Sequence, residues 1–144
     1  MPRPFAQVDV FTTTPYRGNP VAVVLDGAGL STDDMQRFAN WTNLSETTFV
    51  LPPTTDGADY QVRIFTPALE LPFAGHPTLG TCHAWLANAG CEERDEIVQQ
   101  RAAGLVRVRP AMSSSSGRYG AGSPAPARGE PDACPGAVAC EQHR

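Results

Sequence analysis

Residues 73–90 read FAGHPTLGTCHAWLANAG, a stretch that can form a helix with scarcely any polar face. Leu79, Cys82, Trp85, Leu86 and Ala89 recur at helical spacing, and Gly80, Thr81, Ala84 and Ala87 fill the other faces. A helix that is small or apolar nearly all round belongs inside a protein, because no side of it gains from facing water. Pro77 suits the first helical position, which makes His76 the cap, and Gly90 suits the position just past the last turn. The remainder of the chain must therefore wrap this helix.

Short strands are what the remainder offers. Residues 5–11 place Phe5, Val8 and Val10 among polar neighbours, and residues 21–25 (VAVVL) form the continuous apolar run of a strand buried on both faces. Between them PYRGNP is a turn, in which two prolines block helix and Gly18-Asn19 readily takes positive φ. Ser31 starts a second helix, with Asp34 three residues on approximating a capping box. Leu30, Met35, Phe38, Ala39 and Thr42 share one of its faces. Residues 47–51 and 60–65 return to strand character, separated by Pro52-Pro53 and Asp56-Gly57. Residues 97–100 and 105–109 add two more strands around Gly104. An interior helix surrounded by strands predicts an α+β domain.

The pattern stops near Arg109. The chain has 144 residues, enough for one ordinary domain, and its apolar content of 41% supports a core in part of it. Residues 110–144 are dominated by Ser, Gly, Pro and Ala, with little to bury. Ordering each residue costs about 1–2 kcal/mol of backbone entropy, so this tail is expected to be disordered. The division is thus a domain at 1–109 and a low-complexity tail at 110–144.

Charge and termini narrow the partners. The net charge is −4, and all 11 cations are arginine. An acidic chain without a basic cluster is a poor ligand for nucleic acid or anionic lipid. No apolar run is long enough to cross a bilayer, and the N-terminus lacks the apolar segment of a signal peptide, so a cytoplasmic protein is expected. The four cysteines, Cys82, Cys91, Cys134 and Cys140, form no C-x-x-C pair and match no zinc spacing; unpaired thiols are expected. A Cys134–Cys140 disulfide is geometrically possible, but nothing in the sequence requires it.

Three motifs can carry chemistry. In NLSETTF, Glu46 stands where a loop enters a strand, on the same face as Thr48 and Val50. Beside a partly apolar pocket, desolvation makes such a carboxylate a usable acid/base; otherwise it is a solvated glutamate at a strand start. In FAGHPT, the amides of Thr78 and Leu79 at the helix start are free to hold a carboxylate. There Gly75 admits a ligand to the backbone, and His76 is a donor or proton carrier for that ligand, or only a cap. In RGNP, the tight turn presents the Asn19 amide to a ligand or is merely structural. His83 and His143 receive no role, and the histidine spacing suggests no metal site.

Taken together, DVFTTTPYRGNPVAVVL, WTNLSETTFVLPP and VRIFTPALELPFAGHPTLGTCHAWL resemble the N-terminal domain of the PhzF-like family of phenazine-biosynthesis isomerases, from about Phe5 to Arg109. The resemblance implies a diaminopimelate-epimerase-like fold, in which a curled, mostly antiparallel sheet surrounds a central apolar helix. Members have two such domains, with the site in the cleft between them, and isomerise trans-2,3-dihydro-3-hydroxyanthranilate without cofactor or metal. The family's proton-carrying glutamate matches Glu46; Asn19, Gly75 and His76 match the substrate pocket of a small carboxylic acid, and Thr78 is expected to join them as a substrate-binding residue through its helix-start amide. Ala74 stands where related racemases carry a cysteine, which argues against thiol chemistry. The far wall of the cleft has no counterpart here, so the chain is expected to be inactive or partial alone. A homodimer that rebuilds the cleft, or a non-catalytic carboxylate-binding or interaction fragment, are the other readings. The arginine-only, Ala/Pro/Gly-rich composition is that of a GC-rich gene, and the tail is expected to be a frameshifted or prematurely ended continuation.

Overall fold

A computed structural model describes residues 2–110 and the strand at Tyr119–Ala121. Among the described residues the elements are β1 (Phe5–Val10), β2 (Asn19–Val24), α1 (Thr32–Thr42), β3 (Glu46–Leu51), β4 (Tyr60–Phe65), β5 (Glu70–Leu71), α2 (Gly75–Ala89), β6 (Ile97–Arg101), β7 (Gly104–Pro110) and β8 (Tyr119–Ala121). The eight strands form one sheet in the order β1-β2-β3-β4-β6-β7-β8, with β5 paired to β4 off this path. Two neighbouring pairs, β2 with β3 and β4 with β6, are parallel, and the others are antiparallel. Helix α2 touches β1 and β2 at one end of that order and β7 and β8 at the other. A single helix reaches both ends only if the sheet curls around it, which is the expected α+β half-barrel.

The strands' two-residue period sorts side chains to the two faces of the curl. On the inner face Val21, Val23, Val50, Val62, Ile64, Ile97, Val106 and Val108 pack against Leu79, Cys82 and Leu86 of α2. On the outer face Val24, Phe49 and Phe65 pack against Met35 and Ala39 of α1, with Phe38 laid edge-on to Phe49. Within β3, Thr48 and Val50 go inward and Thr47 and Phe49 outward, as the alternation predicts.

Local signals were obeyed where their chemistry is strong. Ser31 caps α1 by accepting the Asp34 amide, while the Asp34 carboxylate accepts the Ser31 amide. Gly90 closes α2 at φ 65° and donates its amide to Leu86. The 15–20 turn differs from expectation: the positive φ angles fall at Phe11 and Tyr16, and Asn19 already belongs to β2. Gly18 is needed for space instead, because a Cβ there would lie 2.2 Å from the Val10 carbonyl oxygen.

Two expectations about the C-terminal part are corrected. Strand β7 runs to Pro110, and Tyr119–Ala121, within the segment expected to lack structure, pairs with it through Val108↔Ala121 and Pro110↔Tyr119. Backbone hydrogen bonds to an open edge need no apolar alternation, which is why the sequence pattern did not reveal β8. The expected disorder of the other tail residues lies outside the described residues, as does a Cys134–Cys140 disulfide. Cys82 is a free buried thiol, whereas Cys91 is disulfide-bonded, contrary to the expected unpaired state. Such pairing is set by tertiary proximity, which cysteine spacing does not report. No described helix is long and apolar enough to cross a membrane.

Candidate functional site

The first turn of α2 meets β2 and β3 at their N-terminal ends. Gly80, one turn after His76, lies against Val21 and Val10, where a Cβ would stand 2.4 Å and 3.0 Å from their methyl carbons. The bare backbone at Gly80 lets α2 settle onto these strands. Val21 in turn pairs with Glu46 across the parallel β2–β3 ladder, and Asn19 precedes Val21 by two on the same face. Three residues distant in sequence therefore converge.

In that convergence His76 Nε2 lies 3.1 Å from Glu46 Oε2, with side-chain exposures of 9% and 17%. The separation is that of an ion pair, yet the groups are not aligned for a hydrogen bond, and both atoms are buried without a hydrogen-bond partner. On the other side of the ring, Asn19 Nδ2 lies 3.2 Å from His76 Nδ1. The result is a row, Asn19–His76–Glu46, with a carboxylate at one end whose Oε2 the protein leaves unsatisfied.

The helix start differs from the sequence reading by two residues. Ala74, extended at φ −153°, is the N-cap, and it offers no side-chain hydrogen bond. The amides without intrahelical acceptors are consequently those of Gly75 and His76, not Thr78 and Leu79. Pro77 is tolerated because a first-turn residue needs no amide proton. Gly75 is exposed, with nothing within 4 Å of a Cβ built on it, so the backbone there is open to a ligand.

Thr78 is placed differently from the other four candidate residues. It is fully buried, its hydroxyl donates to the Ala74 carbonyl at 2.5 Å and accepts from Arg101 Nη2 at 2.5 Å. Its hydroxyl is thus spent inside the protein, on a polar set the sequence reading missed. Gln99 Nε2 donates to Tyr60 Oη at 2.5 Å and to the Thr78 carbonyl at 3.0 Å, and Arg101 also donates to Gln99 Oε1. The signal was available: with Ile97 inward, period two sends Gln99 and Arg101 inward as well. Arg101 lies over the Phe73 ring at 4.9 Å. Burial lowers its guanidinium to about 10, with Tyr60 opposing, so it stays charged at neutral pH. Among the described residues, no group of three or more His, Cys, Asp or Glu stands together as a metal set.

A curled mixed sheet around a central helix, with its candidate site at that helix's first turn, defines the diaminopimelate-epimerase-like class. The sequence model of the family described as "Phenazine biosynthesis-like protein" matches residues 8–133, and the chain belongs to that family. The match extends beyond the Arg109 boundary at which the resemblance was expected to end. The chain is 54% identical over 105 residues to "Antisense-enhancing sequence 1" of Schizosaccharomyces pombe, covering 72% of this chain and 36% of that protein. It is 56% identical over 80 residues to trans-2,3-dihydro-3-hydroxyanthranilate isomerase of Pseudomonas aeruginosa, covering 56% of this chain and 28% of the relative. A crystal structure of the Bacillus anthracis phenazine biosynthesis protein of the PhzF family superposes with TM-score 0.68 at 36% identity, over 76% of this chain and 36% of that one. The chain therefore spans roughly a third of the length of these relatives.

Proposed function

We propose that this chain forms one wall of a cofactor-independent isomerase site, in which Glu46 moves a proton on a small cyclic carboxylic acid. The contact between Glu46 and His76 carries this reading: a carboxylate oxygen is buried, lacks a hydrogen bond, and stands beside the first turn of an interior helix. The free amides of Gly75 and His76 are suited to the substrate's carboxylate, because helix N-termini favour negative charge. Glu46 then takes a proton from one ring carbon, the C–H electron pair shifts through the diene, and the resulting carboxylic acid returns the proton at another carbon. Reactant and product have the same atoms, and no redox partner is required. A relative's substrate, trans-2,3-dihydro-3-hydroxyanthranilate, has the acid group and diene that this scheme needs.

The same reading includes a substrate cleft completed by a second wall, supplied in a homodimer by another copy, and a cytoplasmic location. Without that wall water is not excluded, and orientation, which supplies much of the rate in such reactions, is incomplete. The isolated chain is therefore proposed to be inactive or only partly active.

The free amides at Gly75 and His76 also favour a second reading, a non-catalytic carboxylate-binding fragment. Solvent-deuterium incorporation into the ring of a cyclic hydroxy-diene acid separates the two, with self-association followed by mass photometry. Exchange that drops about 10²–10⁴-fold in Glu46→Gln, while the acid still binds, supports the proton carrier. Exchange indifferent to Glu46→Gln overturns it. Binding without exchange in either protein, in a sample that mass photometry shows to be dimeric, supports the fragment that only binds.

A further inference from the structure

We infer that Asn19 is a positioning residue that fixes the proton of the His76 ring on Nε2, facing Glu46. The two ends of the imidazole point to this independently. At Nδ1 the nearest group is the Asn19 Nδ2 amide at 3.2 Å, which has protons to give and no lone pair to offer. An amide NH₂ can be matched only by a bare ring nitrogen, so Nδ1 is the acceptor and the ring proton sits on Nε2. At Nε2 the nearest group is Glu46 Oε2 at 3.1 Å. At that distance, even without hydrogen-bond alignment, a bare Nε2 would bring its lone pair against carboxylate lone pairs, whereas the positive end of an N–H is attracted to the carboxylate.

The anchoring geometry makes this a fixed choice. Asn19 is the first residue of β2, paired with Val10 of β1, so its backbone cannot drift from the ring. His76 lies in the first turn of a helix seated on the same strand through Gly80 and Val21. A small side chain at position 19 would leave both tautomers open, and an acidic one would invert the preference by accepting a proton from Nδ1.

The consequence for chemistry is a division of labour. An imidazole whose Nε2 already carries its proton cannot take another there, so His76 acts at this position as a donor, and Glu46 is the acceptor. This consequence rests on the proposed role of Glu46; the tautomer itself does not, and the two are tested separately.

The test is nitrogen-15 NMR of the ring nitrogens in the full chain at neutral pH, with the His76 signals identified by their loss in His76→Gln. The inference expects a pyrrole-type shift at Nε2 and a pyridine-type shift at Nδ1 in the wild type. In Asn19→Asp the proton moves to Nδ1, reversing the pattern or giving an imidazolium. A wild-type ring with its proton on Nδ1 overturns the inference, as does a ring indifferent to Asn19→Asp. Should that variant fail to fold, the wild-type spectrum alone decides the sign. Asn19→Leu is then the second variant, with a mixture of tautomers expected and an unchanged single tautomer counting against the lock. The expected tautomer together with exchange indifferent to Glu46→Gln would uphold Asn19 and remove the proton carrier. The reverse pair would do the opposite.

Discussion

Gly80 of α2 sits so close to Val21 of β2 that a Cβ on it would stand 2.4 Å from the valine Cγ1. Val21 is also the β2 partner of Glu46, so the seating of the helix and the placement of the candidate carboxylate are one geometry.

Gly80→Ala is expected to destabilise the protein despite alanine's better helix propensity. The gain from propensity is about 1 kcal/mol, whereas overpacking a fixed helix–strand contact costs about 1–3 kcal/mol. A β-branched neighbour has little rotamer freedom with which to yield. Urea unfolding checks the outcome, as a lower midpoint at unchanged slope. The contact between His76 and Glu46 should loosen along with it, visible as a change in the His76 ring shifts. A midpoint that rises would show that α2 is not held at this depth.

Much of this arrangement was legible from sequence where one period or one cap decides it. Thr48 and Val50 had to share a face with Glu46, because period two admits no other arrangement, and Ser31 with Asp34 announced the start of α1. The start of α2 was misread because Ala74 and Gly75 carry no capping side chain, and Pro77 fits anywhere in a first turn. Asn19 and His76 are separated by 57 positions, and only the curl of the sheet joins them. Arg101 escaped notice because the predicted strand stopped one residue short of it.

Two charged contacts in the fold should respond unequally to loss of a charge. Asp59, with a side chain 4% exposed, binds Arg94 at 2.6 Å and accepts the Val98 amide at 2.7 Å. Asp59→Ala leaves a strand amide without its acceptor and the half-buried Arg94 without its partner, and should cost about 1–3 kcal/mol. Arg101 is as deeply buried, but its described contacts are hydroxyl, amide oxygen and aromatic face, and its Nε and Nη1 have no partner. Arg101→Met removes an uncompensated charge along with two hydrogen bonds, so the net loss should stay below about 1 kcal/mol. Denaturant midpoints compare the two variants directly. An Arg101→Met loss as large as that of Asp59→Ala would mean that the guanidinium is better compensated than its contacts indicate.

Asp34 gives the fold an acid-sensitive element. Hydrogen bonds from the Ser31 hydroxyl and amide, with Arg37 adding its charge, hold its carboxyl below the usual carboxylate value. In the interval between its folded and unfolded values, the unfolded chain binds more protons, so stability declines as the pH falls. The contribution is complete above the ordinary carboxylate range and disappears below the depressed folded value. Asp34→Asn should therefore be less stable than wild type at neutral pH, with the gap narrowing in acid. Thermal melts at stepped pH read this directly. A gap that persists unchanged in acid would assign the effect to helix propensity instead.

Cys82 provides the corresponding alkaline test and a probe of the core around α2. Its thiol is fully buried, and burial first, then the Asp59 charge, pushes it up to about 12. Only the thiolate is nucleophilic, so the native residue should resist alkylation at pH 8 and react at the rate at which the core opens. Peptide mapping after a timed pulse of iodoacetamide follows this position alone. The linkage has a definite sign: above the unfolded thiol's value the unfolded chain loses its proton while the folded chain keeps it. Stability should accordingly fall as the pH rises from about 9 towards 12. Tyr60, raised well above its usual value chiefly by burial, acts in the same direction. Cys82→Ala should lower stability at pH 7 by leaving a small cavity, yet flatten the alkaline decline. Rapid labelling of Cys82 under native conditions would instead show that α2 leaves its seat on β2 far more readily than the packing at Gly80 and Val21 implies.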